Sequence, residues 1–319
     1  MELKNRILRT LEDRRGEYVS GEELAAGAGV SRNAVWKSIR SLKREGFAIA
    51  SAKNRGYVLL PENDVLSAEG VEKFLDGGFS VKVLRRVDST NDAAKELAAS
   101  APAWTAVIAE EQRRGRGRYE RPFFSPAGSG LYMSVILRPQ IPASESLFIT
   151  ACAAVAVCEA IEKVSGKYAE IKWVNDVYIH GKKVCGILTE ASFDVESGGV
   201  AYAVVGIGIN VKKTEFPPAL KERATAVFED GEYPPDGRAA LAAAVLERLK
   251  YYCERIGERT FYSEYKRRSF VIGRHVEVVS GNLSGEAEVL DLDENCFLIV
   301  RFSDGSVRRL SAGEVSIKL

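Results

Sequence analysis

At 319 residues the chain is about twice the usual length of one domain, so two or three modules around a sizeable core are expected rather than disorder. Its five cysteines (Cys152, Cys158, Cys185, Cys253, Cys296) are odd in number with no close CxxC pair, and its two histidines, His180 and His275, lie far apart. This argues against a disulfide framework, a zinc ribbon, a His-rich metal site and most Ser-His or Cys-His catalytic groupings.

The net charge of +1 hides an asymmetry, because residues 1–60 hold twelve Lys and Arg against seven Asp and Glu while the remainder is mildly acidic. Phosphate contacts supply most nucleic-acid affinity, so only the first segment is expected to meet a polyanion. The opening Met-Glu-Leu-Lys runs straight into a charged amphipathic pattern, and the longest apolar run, Leu147 to Cys158, falls short of the about 18 residues of a membrane span. No targeting or membrane segment is expected, and the cysteine usage fits a cytoplasmic protein.

Residues 1–63 read as a winged helix-turn-helix. Leu3, Ile7, Leu8 and Leu11 set a first helix ending near Gly16, and a second runs from Glu22 to Ala28 and stops at Gly29. Ser31 caps a third helix whose Ala34, Val35, Ile39 and Leu42 face inward and whose Arg32, Asn33, Trp36, Lys37, Arg40, Lys43 and Arg44 face outward. Ala48 to Leu60, turning at Lys53-Asn54-Arg55-Gly56, is a two-stranded wing. Ser31, Arg32, Asn33, Trp36 and Lys37 fall where such a helix enters a major groove, and Lys53 and Arg55 sit at the wing tip. A helical interaction domain with solvated charges is the alternative, and Trp36 serves core packing as readily as DNA contact.

Pro61 to Asp64 reads as a linker to a mixed α/β segment, 64–269. Asp88-Ser89-Thr90-Asn91-Asp92 precedes a helical Ala93 to Ala99; Ser89 and Asp92 fit a capping box, and the same polar row suits a small polar ligand. Gln112-Arg113-Arg114-Gly115-Arg116-Gly117-Arg118 lies between strand-like Ala106 to Ala109 and Leu131 to Leu137. It can wrap an anion, since glycine permits close approach and guanidinium grips phosphate or carboxylate, although a charged loop facing solvent reads equally well. No Walker loop occurs. Ser144 to Val164 is a buried helix, apolar almost all round.

Lys172-Trp173-Val174-Asn175-Asp176, then Val177 to Ile179, a His180-Gly181 turn and Lys182 to Leu188 form a hairpin that brings the 172–176 end toward Lys183. Turn chemistry and an edge-strand lysine are the competing explanation. In Ala201 to Val211, Ala203, Val205, Ile207, Ile209 and Val211 share one face, and Gly206 and Gly208 the other. Those glycines leave room for something flat, a bulge or a close helix. Asp236 to Ile256 is a helix with Leu241, Val245, Leu249, Tyr252 and Ile256 on one stripe. From residue 270 to 319, short strands (His275 to Val279, Ala287 to Leu290, Cys296 to Phe302, Ser306 to Leu310), split by turns at Gly281-Asn282, Asp293-Glu294-Asn295 and Ser303-Asp304-Gly305, predict a small all-β barrel.

Taken in order, Ser89-Thr90-Asn91, Gln112 with Gly115-Arg116-Gly117-Arg118, Phe124-Ser125-Pro126, Leu131-Tyr132-Met133-Ser134, Lys172 to Asp176, Lys183 with Gly186-Ile187-Leu188, and Gly206 to Asn210 resemble the biotin protein ligase family in its bifunctional ligase and repressor form. The resemblance spans essentially the whole chain and implies an α+β protein: a winged helix-turn-helix, a mixed α/β catalytic domain of biotin/lipoate ligase type and an SH3-like β-barrel. It also implies ATP, with Mg2+, activating biotin to biotinyl-5'-AMP, and transfer to a lysine of the biotin carboxyl carrier protein of acetyl-CoA carboxylase. Lys183, Arg116 and Arg118 would be catalytic. Biotin would meet Ser89, Thr90, Asn91, Gln112, Gly117 and Gly186 as well, and the nucleotide Arg118, Lys172, Asn175, Asp176 and Asn210; Asp176 is a candidate base for lysine transfer.

The resemblance further implies that 212–228 covers the adenylate, that loops near 113–125 order on adenylate formation, and that a homodimer then binds a two-fold operator DNA. Val174 departs from a proline common in that motif and Phe123 from a tryptophan. The alternatives are a ligand-sensing repressor without ligase activity and a lipoate or octanoate ligase.

Overall fold

Periodicity in the first sixty residues resolves into α1 (Leu3–Asp13), α2 (Gly21–Ala28), α3 (Arg32–Arg44), β1 (Ile49–Ala52) and β2 (Gly56–Leu59) in the structure, a computed structural model. It describes residues 2–194, 196, 198–281 and 283–317; Met1, and Asn282 of an expected turn, lie outside them. Ile7, Leu8 and Leu11 of α1 bury against Val35, Ile39 and Leu42 of α3, giving this module a core of its own. The Ser20 and Ser31 hydroxyls cap α2 and α3, accepting the Glu23 and Ala34 amides at 3.0 and 3.3 Å. Val19 exchanges 2.8 Å backbone hydrogen bonds with Tyr57, and a Cβ on Gly56 would stand 2.0 Å from the Val19 carbonyl, so only glycine fits the wing there.

The central segment comprises α4 (Ala68–Glu72), β3 (Ser80–Val87), α5 (Thr90–Ala98), β4 (Thr105–Gln112), β5 (Gly130–Leu137), α6 (Leu147–Ser165), β6 (Glu170–Lys172), β7 (Asp176–Ile179), β8 (Lys182–Phe193), β9 (Val200–Asn210), α7 (Pro218–Lys221), α8 (Gly237–Glu254) and α9 (Tyr262–Arg268). Its strands form one sheet of order β3-β4-β5-β9-β8-β7-β6, parallel at β3–β4 and antiparallel elsewhere. Helix α6, apolar all round, is buried between α8 and one sheet face, where Ala203, Val205, Ile207, Ile209 and Val211 join the main core. Against the opposite face lies α5, with Ala94 and Ala98 on Val107, Ile136 and Val204. As α5 is nine residues long, it leaves the Gly206–Gly208 end of that face to a cavity.

The C-terminal strands are β10 (His275–Ser280), β11 (Leu283–Leu292), β12 (Leu298–Phe302), β13 (Val307–Leu310) and β14 (Glu314–Ile317), in the antiparallel order β13-β12-β11-β10-β14. The small β-barrel expected from sequence is seen here as an antiparallel five-stranded sheet without a closing ladder. Closure requires the outermost strands to pair, and among the described residues the four-residue β13 and β14 stand at opposite edges with no ladder between them. Strand β14, unforeseen in the sequence, extends the β10 side. The sheet is fastened to the central segment by Trp173, whose Nε1 donates to the Cys296 carbonyl (2.9 Å), and by Tyr262, whose hydroxyl donates to the Leu292 carbonyl (2.8 Å).

Because the winged module has a separate core, Leu42→Ala should cost about 2–5 kcal/mol there. In a urea titration followed by circular dichroism, an early transition involving the first three helices is expected; a single unshifted transition would contradict the separate core.

Candidate functional site

Sheet register assembles the floor of the cavity. Asp176 pairs with Gly186, Gly186 with Gly208 and Gly208 with Tyr132, one row across four strands; Leu188, Gly206 and Ser134 form the next row. A cavity of about 390 Å³ lies over these rows, lined by residues of β7, β8 and β9, the start of α5, the loop after β4, and β14. The glycine face is close-packed: a Cβ on Gly206 would meet Asn91 Oδ1 at 2.2 Å, and one on Gly208 the Phe123 ring at 2.5 Å. An amide and an aromatic ring use the space left by the two missing side chains.

One end of the cavity is polar and uncharged. Ser89, Thr90 and Asn91 are each 4% exposed at the start of α5, where the Ser89 hydroxyl accepts the Asp92 amide at 3.4 Å. Thr90 donates from its amide and hydroxyl to Gln112 Oε1 (2.8 and 3.0 Å), and Gln112 Nε2 donates to Ser125 Oγ (3.0 Å). Asn91 Nδ2 donates to Glu190 (2.7 Å), and Asn91 Oδ1 accepts from Ser134 Oγ (2.6 Å). Mutual satisfaction fixes these groups before any ligand arrives. Asp92 does not complete a capping box with Ser89; its carboxylate receives Arg116 (2.5 Å) and Lys95 (3.0 Å) instead.

The other end is cationic. Arg116, Gly117, Arg118, Arg121, Lys172, Lys183 and Arg223 all line it, against the carboxylates of Asp176 and Glu314. Arg118 Nη1 donates to Asn175 Oδ1 (3.3 Å) and Nη2 to the Gly313 carbonyl (3.0 Å), while Lys183 Nζ donates to Asp176 Oδ1 (2.5 Å). Lys183 reaches this face through a β-bulge: Val177 pairs with Cys185 but Tyr178 pairs with Lys183, so the extra residue turns Lys183 to the side of Asp176 and Tyr178. Burial lowers the affinity of the Lys172 amine for its proton, with Asp176 opposing and Lys183 reinforcing the effect. Burial also pushes the Tyr178 phenol up to about 12.

Of the arginine-rich run, Arg113 and Arg114 are exposed while Arg116 and Arg118 turn inward. A Cβ on Gly115 would stand 2.7 Å from the Phe123 carbonyl, which accepts close approach only from glycine. Tyr119 and Glu120 adopt left-handed φ of 54° and 56°, and the exposed Tyr119 ring carries Arg118 at 5.1 Å and Arg121 at 6.0 Å. Segment 212–228 closes the cavity with Leu220 and Arg223, docking through backbone bonds of 2.9 Å between Lys183 and Arg223 and between Thr225 and Lys183.

The structure thus brings Ser89, Thr90, Asn91, Gln112, Arg116, Gly117, Arg118, Lys172, Asn175, Asp176, Lys183 and Gly186 to one cavity. Asn210 is not on its wall; its Nδ2 donates to the Thr225 carbonyl (3.1 Å) and braces the covering segment. Arg121, Tyr178, Glu314 and Ser316 line the cavity without being singled out in the sequence, while Leu220 and Arg223 come from the segment expected to cover it. For Glu314 and Ser316 the available signal was the Val315/Ile317 alternation after Gly313. A wider cleft, about 1080 Å³, opens between the winged module and β3. Its charges are largely paired already: Lys4 with Glu45 (2.9 Å), Arg86 with Glu111 (2.7 Å) and Arg238 with Glu110 (2.8 Å).

In the N-terminal module Ser31, Arg32, Asn33, Trp36 and Lys37 lie on the exposed face of α3, and Lys53 and Arg55 are exposed on the wing. Trp36 is 47% exposed, with the Arg40 guanidinium 5.3 Å from its ring, so it is not core. Arg55 stacks 4.0 Å from the Tyr18 ring.

Against this geometry, three family models match: the HTH domain over residues 4–58, the Biotin/lipoate A/B protein ligase family over 83–210, and the Biotin protein ligase C terminal domain over 271–318. The bifunctional ligase/repressor BirA of Bacillus subtilis (strain 168) is 31% identical over 327 residues, covering 99% of this chain and 98% of its own. A biotin–[acetyl-CoA-carboxylase] ligase of Paracoccus denitrificans is 33% identical over 229 residues, covering 69% of this chain and 93% of its own. Among solved structures, biotin protein ligase from Aquifex aeolicus in complex with biotin and ATP aligns with a TM-score of 0.63 and 28% identity, over 75% of this chain and 98% of that one.

The close fit over Gly206 gives a direct test of the site's packing. Gly206→Ala should destabilise the fold by about 1–3 kcal/mol through displacement of Asn91. A thermal melt that does not fall would show that the Asn91 amide is not held against β9.

Proposed function

The chain belongs to the biotin protein ligase family, in the form that joins a winged helix to the ligase, and on that premise we propose how its residues divide the work. The protein activates biotin with ATP to biotinyl-5'-AMP, transfers biotin to a lysine of a biotin carboxyl carrier protein, and represses transcription through its helix-turn-helix. Convergence of Arg116, Arg118 and Lys183 on a cavity with an uncharged polar end supports this assignment of roles.

Ser89, Thr90, Asn91 and Gln112 receive the neutral ring of biotin, with Gly186 and Gly117 beside its tail. In the first step a carboxylate oxygen of biotin bonds to the α-phosphorus of ATP, and the bond to the β-phosphate bridging oxygen breaks, releasing pyrophosphate. Arg116, Arg118 and Lys183 hold the two mutually repelling anions and stabilise the charge that develops. Lys172 and Asn175 complete the nucleotide end. In the second step the carrier amine attacks the acyl carbon and AMP leaves with the bonding electrons. A lysine of pKa about 10.4 must shed a proton first, and Asp176, paired with Lys183 in the free chain, is our candidate to take it once phosphate oxygens engage Lys183.

Among the described residues no group of three or more His, Cys, Asp or Glu is placed to hold a metal ion. The oxygen donors of Asp176 and Asn175 fit a Mg2+ carried chiefly by the phosphates of ATP, where it would neutralise charge on the leaving pyrophosphate. No helix among the described residues is long and apolar enough to cross a membrane. We place operator DNA on the exposed face of α3 and on the wing, with adenylate-bound homodimers presenting two such faces.

Lys183→Met should reduce biotin-dependent exchange of labelled pyrophosphate into ATP at least about a hundredfold, leaving the binding of the ligand-free chain to duplex DNA intact. Absence of exchange in the folded parent chain would favour a repressor that only senses its ligand, and preferential use of lipoate over biotin in a competition would favour the lipoate ligase reading. Replacing Arg32, Lys37, Lys53 and Arg55 by Ala should lower the slope of log affinity for duplex DNA against log salt by about 0.9 for each phosphate no longer neutralised. An unchanged slope would move the DNA elsewhere. Sedimentation in saturating biotin and ATP should show a dimer, and a persistent monomer would remove that part of the proposal.

A further inference from the structure

Segment 212–228 leaves and rejoins the fold at a narrow neck. The Lys212 amide donates to the Ser129 carbonyl (2.8 Å) and the Phe228 amide to the Val211 carbonyl (2.9 Å). Tyr233 packs edge-on against Phe228, with ring centres 5.6 Å apart, and the Lys212 ammonium stands 4.9 Å from the Tyr233 ring. One carboxylate joins these groups. Asp64 accepts Lys212 Nζ at 2.5 Å and the Tyr233 hydroxyl, and lies 3.3 Å from Arg238 Nε, while its backbone carbonyl takes Arg238 Nη2. Arg238 is 2% exposed and is bound on its other side by Glu110 (2.8 Å), whose second oxygen accepts the Leu66 amide (2.7 Å). Two cations thus face two carboxylates, and removing one carboxylate leaves a buried guanidinium and an ammonium short of a partner.

The residue before Asp64 faces the other module. Asn63, 2% exposed, accepts the Ala48 amide at Oδ1 (3.0 Å), and its carbonyl takes Arg15 Nη1 (2.8 Å). Arg15 in turn pairs with Glu12 (2.6 Å) and with Asp236 (2.5 Å), and Lys73 joins the same two carboxylates at 3.1 and 2.5 Å. Adjacent residues of the linker therefore hold the seat of the winged module and the neck of the segment that covers the cavity. At its far end that segment is bonded to the backbone of Lys183.

We propose that Asp64 is a positioning residue for the ligase reaction, clamping the neck of 212–228 to the linker so that disturbing the seat of the winged module loosens the cover over the cavity. The part concerning the reaction rests on the ligase reading. The mechanical part does not, and is read separately.

Amide hydrogen exchange on the full chain without ligand supplies that separate reading. Asp64→Asn should speed exchange across 213–227 by about tenfold while α6 keeps its protection, and Asp64→Glu should restore part of it. Lys212→Met, altering a half-buried side chain at the same contact, should act in the same direction and serves if Asp64→Asn does not fold. Unchanged exchange in 213–227 for either folded variant overturns the clamp. Asn63→Ala should also speed exchange in 213–227, and an effect confined to residues 1–63 overturns the coupling. In the ligase assay Asp64→Asn should raise KM for ATP by about tenfold with kcat altered much less. Faster exchange with an unchanged KM overturns the role in the reaction and leaves the ligase reading untouched.

Discussion

Two anions have to meet in one small space, and most features of the site follow from that repulsion. Unit charges 4 Å apart interact by about 4 kcal/mol at the effective dielectric of a protein surface, so the cations that hold the ligands also repel one another. Four of them are bracketed in the structure: Arg116 by Asp92, Lys183 by Asp176, Arg121 by Glu314, and Arg118 by the Asn175 amide and the Gly313 carbonyl. On the proposed roles, anionic ligands would exchange for these partners rather than enter a field of bare charge. The cations therefore need little rearrangement at the moment of reaction.

Register in the central sheet is what makes the bracketing possible. Glycines at 186 and 208 fall opposite each other in one row, and the next row puts Gly206 beside Ser134, so the floor is low where Asn91 and Phe123 must approach. The bulge between β7 and β8 then brings Lys183 to the same face as Asp176. A regular hairpin would aim that lysine toward α6, into apolar surroundings where a charge is strongly disfavoured.

The modules at the two ends of the chain are both tied to the central segment, and the C-terminal one reaches the cavity wall. Strand β14 lends the Gly313 carbonyl and the Glu314 carboxylate to the arginine loop. The Trp173 indole, one residue beyond Lys172, is anchored on the C-terminal sheet through Cys296. At the other end, ion pairs among Glu12, Arg15, Lys73 and Asp236 seat the winged module while its basic face, with Trp36, remains exposed. The seating ion pairs thus come from the end of α1 and the residues just after it, and the exposed basic face from α3.

By itself the sequence determined whatever depends on neighbours along the chain. Helix and strand periods marked the three helices of the first module, α6 and β9; Ser31 marked a cap; and the ordered motifs from Ser89 to Asn210 marked the family, because short-range spacing alone dictates which side chains share a face. Tertiary structure decided whatever depends on which faces meet. It set the order of the C-terminal strands, formed β14 from too short an alternation to be read, turned Arg113 and Arg114 outward and Arg116 and Arg118 inward, and put Asn210 behind the covering segment rather than on the cavity wall. A one-residue bulge or one added strand reverses or extends a face without changing local preference, so such outcomes are settled only when distant segments compete for the same partners.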